Sequence, residues 1–283
     1  MNLRRSISRS MAALVLGSIQ VGCNEEPPPP PRPVQAPPPI VPPQLDTPKD
    51  WSHEKLQARY ALLLEECVAA SGLVDYVRLR SVDIRSIAQA FGNAYAFDST
   101  NEELAFLCNA YNAHVLDLVD RASRAPDFES VIKIEGFFDA TEIVVGGKTM
   151  TLNELENDRI RPYGDARIHA ALVCAAVSCP PLRAEPFDGA RLDEQFDEQC
   201  RRWVNDETKF AVTADGVSAS QILNWYGEDF VGAPWNGVAG FIRAYATAGS
   251  ELQQAVADGA SPTISWMEYD WSPNATRIEE ESK

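Results

Sequence analysis

The sequence predicts an α+β fold, a mostly helical single domain with a small antiparallel sheet built from hairpins. Three observations predict it. Apolar residues recur at helical spacing in most segments after residue 51, short strands meet at glycine turns, and no strand–helix–strand unit recurs. Residues 51–274 are enough for one globular domain with its own core, and an acidic tail follows over residues 275–283.

The first 22 residues have the layout of a bacterial export signal. Three arginines precede an apolar stretch over residues 11–21, which is too short to cross a bilayer as a mature helix. Gly22 precedes Cys23, as in lipoprotein signals, where the cysteine thiol receives a diacylglyceryl group. We therefore expect a protein of the periplasm or cell envelope, anchored to the membrane by lipidated Cys23. An ordinary cleaved signal is the alternative.

Residues 23–50 follow as a proline-rich tether. Such a stretch cannot build a core and prefers extended polyproline II. At about 3.1 Å per residue it reaches roughly 80 Å, enough to lift a domain off a membrane surface. Plain disorder is the alternative, and both interpretations keep the segment out of the fold.

The charge and the motifs limit the partners. A formal net charge of −16 disfavours nucleic acid and anionic lipid surfaces, because both need a basic patch. The sequence has no glycine-rich phosphate loop, no Gly-x-Ser-x-Gly elbow and no His-Glu-x-x-His motif. We expect neither a cofactor nor a metal. The expected partner is a small-molecule or peptide substrate, which the sequence does not identify.

The first half of the domain is predicted to be helical. Apolar spacing favours helices over residues 51–70, 84–94 and 99–122. The last of these opens with Ser99 and Glu102 at capping-box spacing, which marks a helix start.

The second half alternates turns with short elements. We predict a hairpin over residues 142–150 with Gly146-Gly147 at its turn, followed by a helix that begins at the capping box of residues 151–154 and ends before Pro162. A helix is predicted on the apolar stripe of residues 192–203, and a second hairpin turns at Asp215-Gly216. Helices over residues 220–226 and 237–248 and a strand over residues 263–269 complete the domain.

His169, Cys174 and Cys179 fall within eleven residues of a largely apolar run, in a chain with three histidines and six cysteines. Imidazole and thiol are the side chains most useful near neutral pH. Periodicity leaves the segment open between strand and buried helix, and neither makes His169 and Cys174 direct partners. Cys179 precedes Pro180, where a turn would let backbone dipoles stabilise a thiolate.

Other uses of this cluster stay open. Cys174 is also interpretable as a small core residue, and His169 as a hydrogen-bonded core histidine. A disulfide between Cys174 and Cys179 is a further alternative, since export implies an oxidising compartment. Lipidation of Cys23 leaves an odd number of cysteines, so at least one thiol stays free or pairs between chains. Zinc is disfavoured because the cluster lacks a tight Cys-x2-Cys pair.

Further candidates lie outside the cluster. Asn109 and Asn112 lie three residues apart on a predicted helix and could polarise a carbonyl, although amides more often fix loops. His114 falls on the other flank of that helix, at the core or in a cleft. Glu154 is explained by capping, whereas Glu156 has no such role and could orient an imidazole.

Several blocks resemble the family known as domain of unknown function 547. The blocks are Asn109-Ala110-Tyr111-Asn112-Ala113, Ser130 to Ile134, Val145-Gly146-Gly147, Thr151 to Glu156, His169 to Leu182, Asn224-Trp225-Tyr226, Asp229-Phe230 and Tyr269-Asp270-Trp271-Ser272. The resemblance implies a fold family and an envelope location more than a reaction. Plant relatives have Asp-Pro where this chain has Cys179-Pro180. Either bacterial members differ in function, or Cys179 is not catalytic and His169 with Glu156 matters more.

Two functional hypotheses follow. In the first, a thiol-dependent hydrolase or acyl/peptidyl transferase uses Cys179 or Cys174 as nucleophile, His169 as base and Glu156 to orient it. In the second, a tethered, non-catalytic module binds a peptide, a glycan or a partner protein. Sulfurs near His169 and open to solvent favour the enzyme, whereas sealed or mutually bonded sulfurs favour the binding module. Five tryptophans suit a stacking surface in that module: Trp203, Trp225, Trp235, Trp266 and Trp271.

Overall fold

The computed structural model of the protein describes residues 51–260 and 262–278. The predicted export signal, Cys23 and the proline-rich tether lie outside these residues. No helix within them has the length and apolar character that crossing a bilayer requires.

Helices carry most of the described structure. The α-helical segments are α1 (His53–Cys67), α2 (Tyr76–Leu79), α3 (Ile84–Ala90), α4 (Thr100–Ala122), α5 (Leu152–Glu154), α6 (Ile168–Ala171), α7 (Leu192–Val204), α8 (Ile222–Trp225), α9 (Val238–Tyr245) and α10 (Glu251–Ala255). A π-helical segment, Leu155–Ile160, continues α5, and short 3-10 turns lie at Val131–Lys133, Arg161–Tyr163 and Gly227–Phe230.

The strands are short. They are β1 (Val74–Asp75), β2 (Glu142–Val145), β3 (Lys148–Thr151), β4 (Ala211–Thr213), β5 (Gly216–Ala219), β6 (Thr263–Trp266) and β7 (Ala275–Arg277). The predicted α+β class is confirmed. The β7 strand carries the fold three residues past Asn274, where the sequence placed the end of the domain.

The α4 helix is the central element of the domain. Ser99 Oγ accepts a hydrogen bond from the Glu102 N–H at 3.2 Å, as the capping motif predicts. The Glu102 carboxylate turns back to the N–H of Asp98 at 2.7 Å, one residue before the predicted partner. Every residue from Leu104 to Asp120 is buried. Such all-round burial means that α4 is packed on all sides by the rest of the domain.

Both predicted hairpins form, and each depends on glycine. Gly146 and Gly147 turn β2 into β3 with φ of 59° and 77°, values that side chains disfavour. In the β4–β5 hairpin, a Cβ on Gly216 would lie 2.2 Å from the Thr263 carbonyl oxygen.

Two strand pairs differ from the all-hairpin prediction. β6 joins β5 in parallel, and β7 joins β1 in parallel. Parallel pairing needs a long connection, and helices α8 to α10 provide it for β6. The prediction missed these pairs because no turn motif marks a strand whose partner is distant in sequence.

The apolar core has two parts. One surrounds α4 and includes Tyr111, Leu172 and Val173. The other surrounds α7 and α9, where the fully buried rings of Trp203 and Phe241 lie 6.1 Å apart.

The C-terminal segment holds the cysteine-bearing loop in place. Val177 N–H donates to Ser272 O at 2.7 Å, and Ser178 N–H donates to Asp270 O at 3.1 Å. Asn274 N–H donates to the carbonyl of Ala175 at 3.1 Å. The segment that periodicity left open is one helical turn, α6, followed by extended backbone at Leu172.

Candidate functional site

A cavity of about 310 Å³ lies where the two parts of the core meet. We call it the aromatic cavity, because six rings line it: Tyr111, Phe138, Trp225, Tyr226, Tyr269 and Trp271. Its polar walls are Asn153, Glu156 and His169, and both Cys174 and Cys179 border it. The structure therefore brings four predicted site residues, His169, Glu156 and the two cysteines, to one cavity.

His169 is held by a carboxylate from a distant part of the chain. The side chain projects from the single turn of α6 and is 3% exposed. Its Nε2 lies 2.7 Å from Oδ2 of Asp229. Arg161 donates two hydrogen bonds to the same carboxylate, from Nε at 2.9 Å and from a terminal nitrogen at 2.7 Å. The hydrogen bond from His169, aided by Arg161, holds the pKa of Asp229 well below its usual range.

The ionised carboxylate fixes the imidazole chemically. Because Asp229 can only accept, Nε2 of His169 carries the proton and donates it. In the neutral ring, Nδ1 is then the proton acceptor. The ring of Tyr226 stacks on the imidazole of His169 with centroids 4.2 Å apart. The Arg161 guanidinium lies 5.2 Å from the centroid of the Tyr226 ring.

Glu156 projects from the π-helical segment after α5. Such π-helical turns are frequent at functional sites. The preceding capping box forms as predicted, with Glu154 N–H donating to Thr151 Oγ1 at 3.1 Å. Burial and the Glu156 carboxylate raise the pKa of Tyr111 and Tyr226. Burial and Glu156 also raise the pKa of Tyr269. All three phenols thus remain protonated near this carboxylate.

Cys174 and Cys179 form a disulfide, one of the alternatives that the sequence left open. The Cys174 N–H donates to Cys179 Sγ at 3.0 Å. The Tyr269 hydroxyl lies 2.9 Å from Cys174 Sγ and 3.2 Å from Cys179 Sγ. A disulfide carries no hydrogen, so the hydroxyl is the donor, and its single hydrogen is shared between the two sulfurs. Cys174 is half-buried and Cys179 is buried.

The other cysteines of the described chain are apart from the cavity. Cys67, Cys108 and Cys200 are unpaired and buried. Burial raises the pKa of the Cys67 thiol to about 12 and that of Cys200 well above its usual range. These three behave as core residues.

Asn109 and Asn112 are buried, and each side-chain amide bonds to both a carbonyl and an N–H of a neighbouring backbone segment. Asn109 donates to Phe187 O at 2.8 Å and accepts from Phe187 N–H at 2.9 Å. Asn112 donates to Ala171 O at 2.9 Å and accepts from Val173 N–H at 3.0 Å. Neither amide is among the groups that line the aromatic cavity. Asn112 nevertheless fixes the backbone between His169 and Cys174.

His114 lies away from the aromatic cavity as well. Its Nε2 is 3.2 Å from the carbonyl oxygen of Val144 in β2. Burial lowers its pKa to about 4, so the ring is neutral at physiological pH.

The sequence reasoning missed Asp229, Arg161 and the tyrosines. Asp229 is 60 residues from His169, and Tyr269 is 95 residues from Cys174, so no local spacing links them. Asp229 and Tyr269 lie in blocks that resemble the DUF547 family, and this resemblance is the sequence signal that marks them as candidate site residues. Of the five candidate tryptophans, only Trp225 and Trp271 line the cavity.

Comparison with known proteins gives one match. Residues 96–204 match the model of the family described as "Protein of unknown function, DUF547", which confirms the resemblance over this region. The matched region includes Tyr111, Glu156, His169 and both bridged cysteines, whereas Asp229 and Tyr269 lie beyond it. No curated protein and no solved structure matches the chain.

Proposed function

We propose a function from the site itself, since the family model that residues 96–204 match is described only as a protein of unknown function. We infer that the domain is a binding module that takes a neutral or cationic small molecule, or the end of a peptide or glycan, in the aromatic cavity. The observation that carries this proposal is the bond between the two sulfurs. It removes both candidate nucleophiles and leaves an aromatic cavity with a few polar groups.

The size and lining of the cavity support binding. A volume of about 310 Å³ suits a compact ligand, and ligand sites combine apolar walls with a few placed polar groups. Trp225 is 47% exposed, although exposing an indole to water is unfavourable. Tyr269 lies 4.8 Å from Trp225 and 4.7 Å from Trp271, so the three rings form one stacking surface.

Charge favours a neutral or cationic ligand over an anion. Glu156 lines the aromatic cavity, and the chain has a formal net charge of −16. An anion entering the cavity would meet this carboxylate in a site that the rings partly desolvate, where repulsion is strong.

A fragment screen read at the indole N–H resonances tests the proposal. The probes are phenylethylamine, N-acetylglucosamine and phenylacetate as cationic, neutral and anionic fragments, within a larger library. We expect hits to shift the Trp225 and Trp271 signals, to leave the Trp203 signal in place, and to be lost in Trp225→Ala. Trp266→Ala is the matched control, because Trp266 is 37% exposed but does not line the aromatic cavity. A library without hits at Trp225 or Trp271 would refute the binding module.

A thiol hydrolase or transferase is the second candidate, and one observation favours it. His169, oriented by Asp229, lines the same cavity as both sulfurs. In this candidate the reduced Cys179 or Cys174 attacks a carbonyl, His169 accepts the thiol proton, and Asp229 orients the imidazole, the role that the sequence gave to Glu156.

Thiol labelling after mild reduction separates this candidate from simple binding. Iodoacetamide at pH 7 should label one of the two cysteines much faster than free cysteine, and His169→Ala should abolish the difference. Uniformly slow labelling would exclude the enzyme.

We further propose that the domain is held at the cell envelope by a lipid on Cys23. The support is the sequence of residues 1–23 alone. Metabolic labelling with an alkyne fatty acid should mark the wild-type protein and not Cys23→Ala, and only the wild-type protein should sediment with membranes. Equal labelling and sedimentation of the two would exclude the anchor.

A further inference from the structure

We propose that the Cys174–Cys179 bridge is a redox centre that exchanges with an external thiol or dithiol, with Cys174 as the attacked sulfur and Cys179 as the leaving thiolate. This activity goes beyond ligand binding, although it uses the wall of the same cavity.

Access distinguishes the two sulfurs. Both cysteines border the aromatic cavity, but Cys174 is only half-buried, so a small thiol entering the cavity can approach it. Cys179 is 3% exposed. Thiol–disulfide exchange requires an approach to the attacked sulfur, which makes Cys174 the accessible target.

Hydrogen bonding gives the bridge a matching polarity. Cys179 Sγ accepts the Cys174 N–H at 3.0 Å and lies 3.2 Å from the Tyr269 hydroxyl. Cys174 Sγ contacts the Tyr269 hydroxyl but accepts no backbone N–H from the residues that the structure describes. Donors stabilise a thiolate and make it a better leaving group. The hydroxyl is shared by both sulfurs, so the backbone N–H of Cys174, which only Cys179 accepts, is the donor that directs the electron pair to Cys179.

The loop between the cysteines is held without the bridge. Val177 and Ser178 bond to the backbone of Ser272 and Asp270, and the Lys209 ammonium donates to Val177 O at 2.6 Å. A bridge across five residues also closes only a short loop, where its stabilising effect is smallest. Reduction can therefore proceed without releasing this part of the fold.

The exchange balances as a two-electron reaction. An external thiolate attacks Cys174 Sγ, a mixed disulfide forms, the bridge breaks, and its electron pair passes to Cys179 Sγ. A second external thiolate, which can belong to the same dithiol, attacks the external sulfur of the mixed disulfide and releases Cys174. The bridge is reduced, and the external thiols are oxidised to their disulfide. His169, in the same cavity, can accept the proton of the entering thiol.

Reduction of the native protein tests the proposal. The full chain is incubated with dithiothreitol without denaturant and then alkylated with iodoacetamide, and the labelled sites are mapped by mass spectrometry. We expect Cys174 and Cys179 to be labelled, while buried Cys67, Cys108 and Cys200 remain unlabelled as internal reporters of unfolding. Labelling of all five together would overturn the proposal, since the bridge would then open only on unfolding.

Two sets of variants test the polarity. With glutathione disulfide, the free Cys174 of Cys179→Ser should form the mixed disulfide at least about tenfold faster than the free Cys179 of Cys174→Ser. Tyr269→Phe should slow reduction of the bridge about tenfold, because it removes a hydrogen bond to a developing thiolate. Tyr245→Phe is the matched control, since its hydroxyl bonds to Asp197 outside the cavity. Equal rates in the cysteine pair would overturn the polarity, and equal rates in the two tyrosine variants would overturn the role of the Tyr269 hydroxyl in reduction.

The same samples separate this proposal from ligand binding. Fragments that shift the Trp225 and Trp271 signals report the binding function with the bridge intact. A bridge that resists dithiothreitol while fragments still bind refutes the redox centre alone. A bridge that is reduced in a protein without fragment hits refutes the binding module alone.

Discussion

His169 and Asp229 lie 60 residues apart in sequence, yet Nε2 of the first is 2.7 Å from Oδ2 of the second. Arg161 bonds to both oxygens of the same carboxylate. The imidazole is therefore held in one orientation and one tautomer at the edge of a cavity that also contains two sulfurs. A fixed, carboxylate-bound imidazole of this kind serves equally to hold a ligand and to accept a proton.

Asp229→Asn should destabilise the domain in a pH-dependent way. Asparagine keeps the shape but loses charge-assisted bonds to His169 and Arg161, which we expect to cost about 2 kcal/mol at pH 7. The pKa of Asp229 is depressed in the folded state. Its contribution is thus complete above the unfolded pKa of about 4 and decreases progressively as the pH falls from that value towards the depressed pKa of the folded state.

Urea unfolding of both proteins at pH 6 and pH 2.5 measures this effect. The difference in unfolding free energy between wild type and Asp229→Asn should be large at pH 6 and should shrink at pH 2.5. A difference independent of pH would mean that the carboxylate charge is not what stabilises the pair.

His114 should make stability fall in mild acid. Burial lowers its pKa to about 4, whereas the unfolded value is about 6.5. Between these values the unfolded chain binds the proton and the folded chain resists it. The stabilising effect is therefore complete above about pH 6.5 and decreases by at most about 1.4 kcal/mol per pH unit down to about pH 4.

His114→Gln isolates this contribution. Glutamine keeps a donor for the Val144 carbonyl and does not titrate. The unfolding free energy of the variant should vary less than that of the wild type between pH 6.5 and pH 4.5. Parallel curves for the two proteins would contradict the assigned protonation state.

Helix positions and hairpins followed from local signals. Ser99 and Glu102 marked the start of α4, and Gly146-Gly147 and Asp215-Gly216 marked both hairpin turns. These features depend on neighbours a few residues apart, which sequence periodicity and turn chemistry record.

The site was predicted only in part, because its geometry is non-local. His169, Glu156 and the cysteines were identified by residue type, and the structure gathers them at one cavity. The sequence does not identify the partner of His169, since it contains many carboxylates and spacing does not reveal which one packs against the ring. For a similar reason, the sequence does not decide whether Cys174 pairs with Cys179, because the pairing depends on how the loop folds.

Asn112→Ala should loosen the backbone that carries the site. Its buried amide satisfies the carbonyl of Ala171 and the N–H of Val173. Leaving two buried backbone groups without partners should cost about 2–4 kcal/mol.

Hydrogen exchange at the Val173 amide measures the effect directly. Exchange should be faster in Asn112→Ala, and the unfolding free energy should fall. Asn224→Ala, at an exposed position on α8, is the control and should change stability by less than about 0.5 kcal/mol. Unchanged protection of Val173 would mean that the Asn112 amide is not needed to hold this segment.

Trp225→Ala and Trp203→Ala should separate binding from folding. Trp203 is fully buried between Phe210 and Phe241, so its truncation should cost about 3–5 kcal/mol and lower the amount of folded protein. Trp225 is 47% exposed, so its truncation should cost less than about 1 kcal/mol. The same change removes one ring of the stacking surface, and we expect cavity ligands to bind at least about tenfold more weakly.

Thermal unfolding and fragment titration on the same samples distinguish the two effects. A Trp225→Ala protein that is as unstable as Trp203→Ala would assign this exposed indole to the core and not to a binding surface.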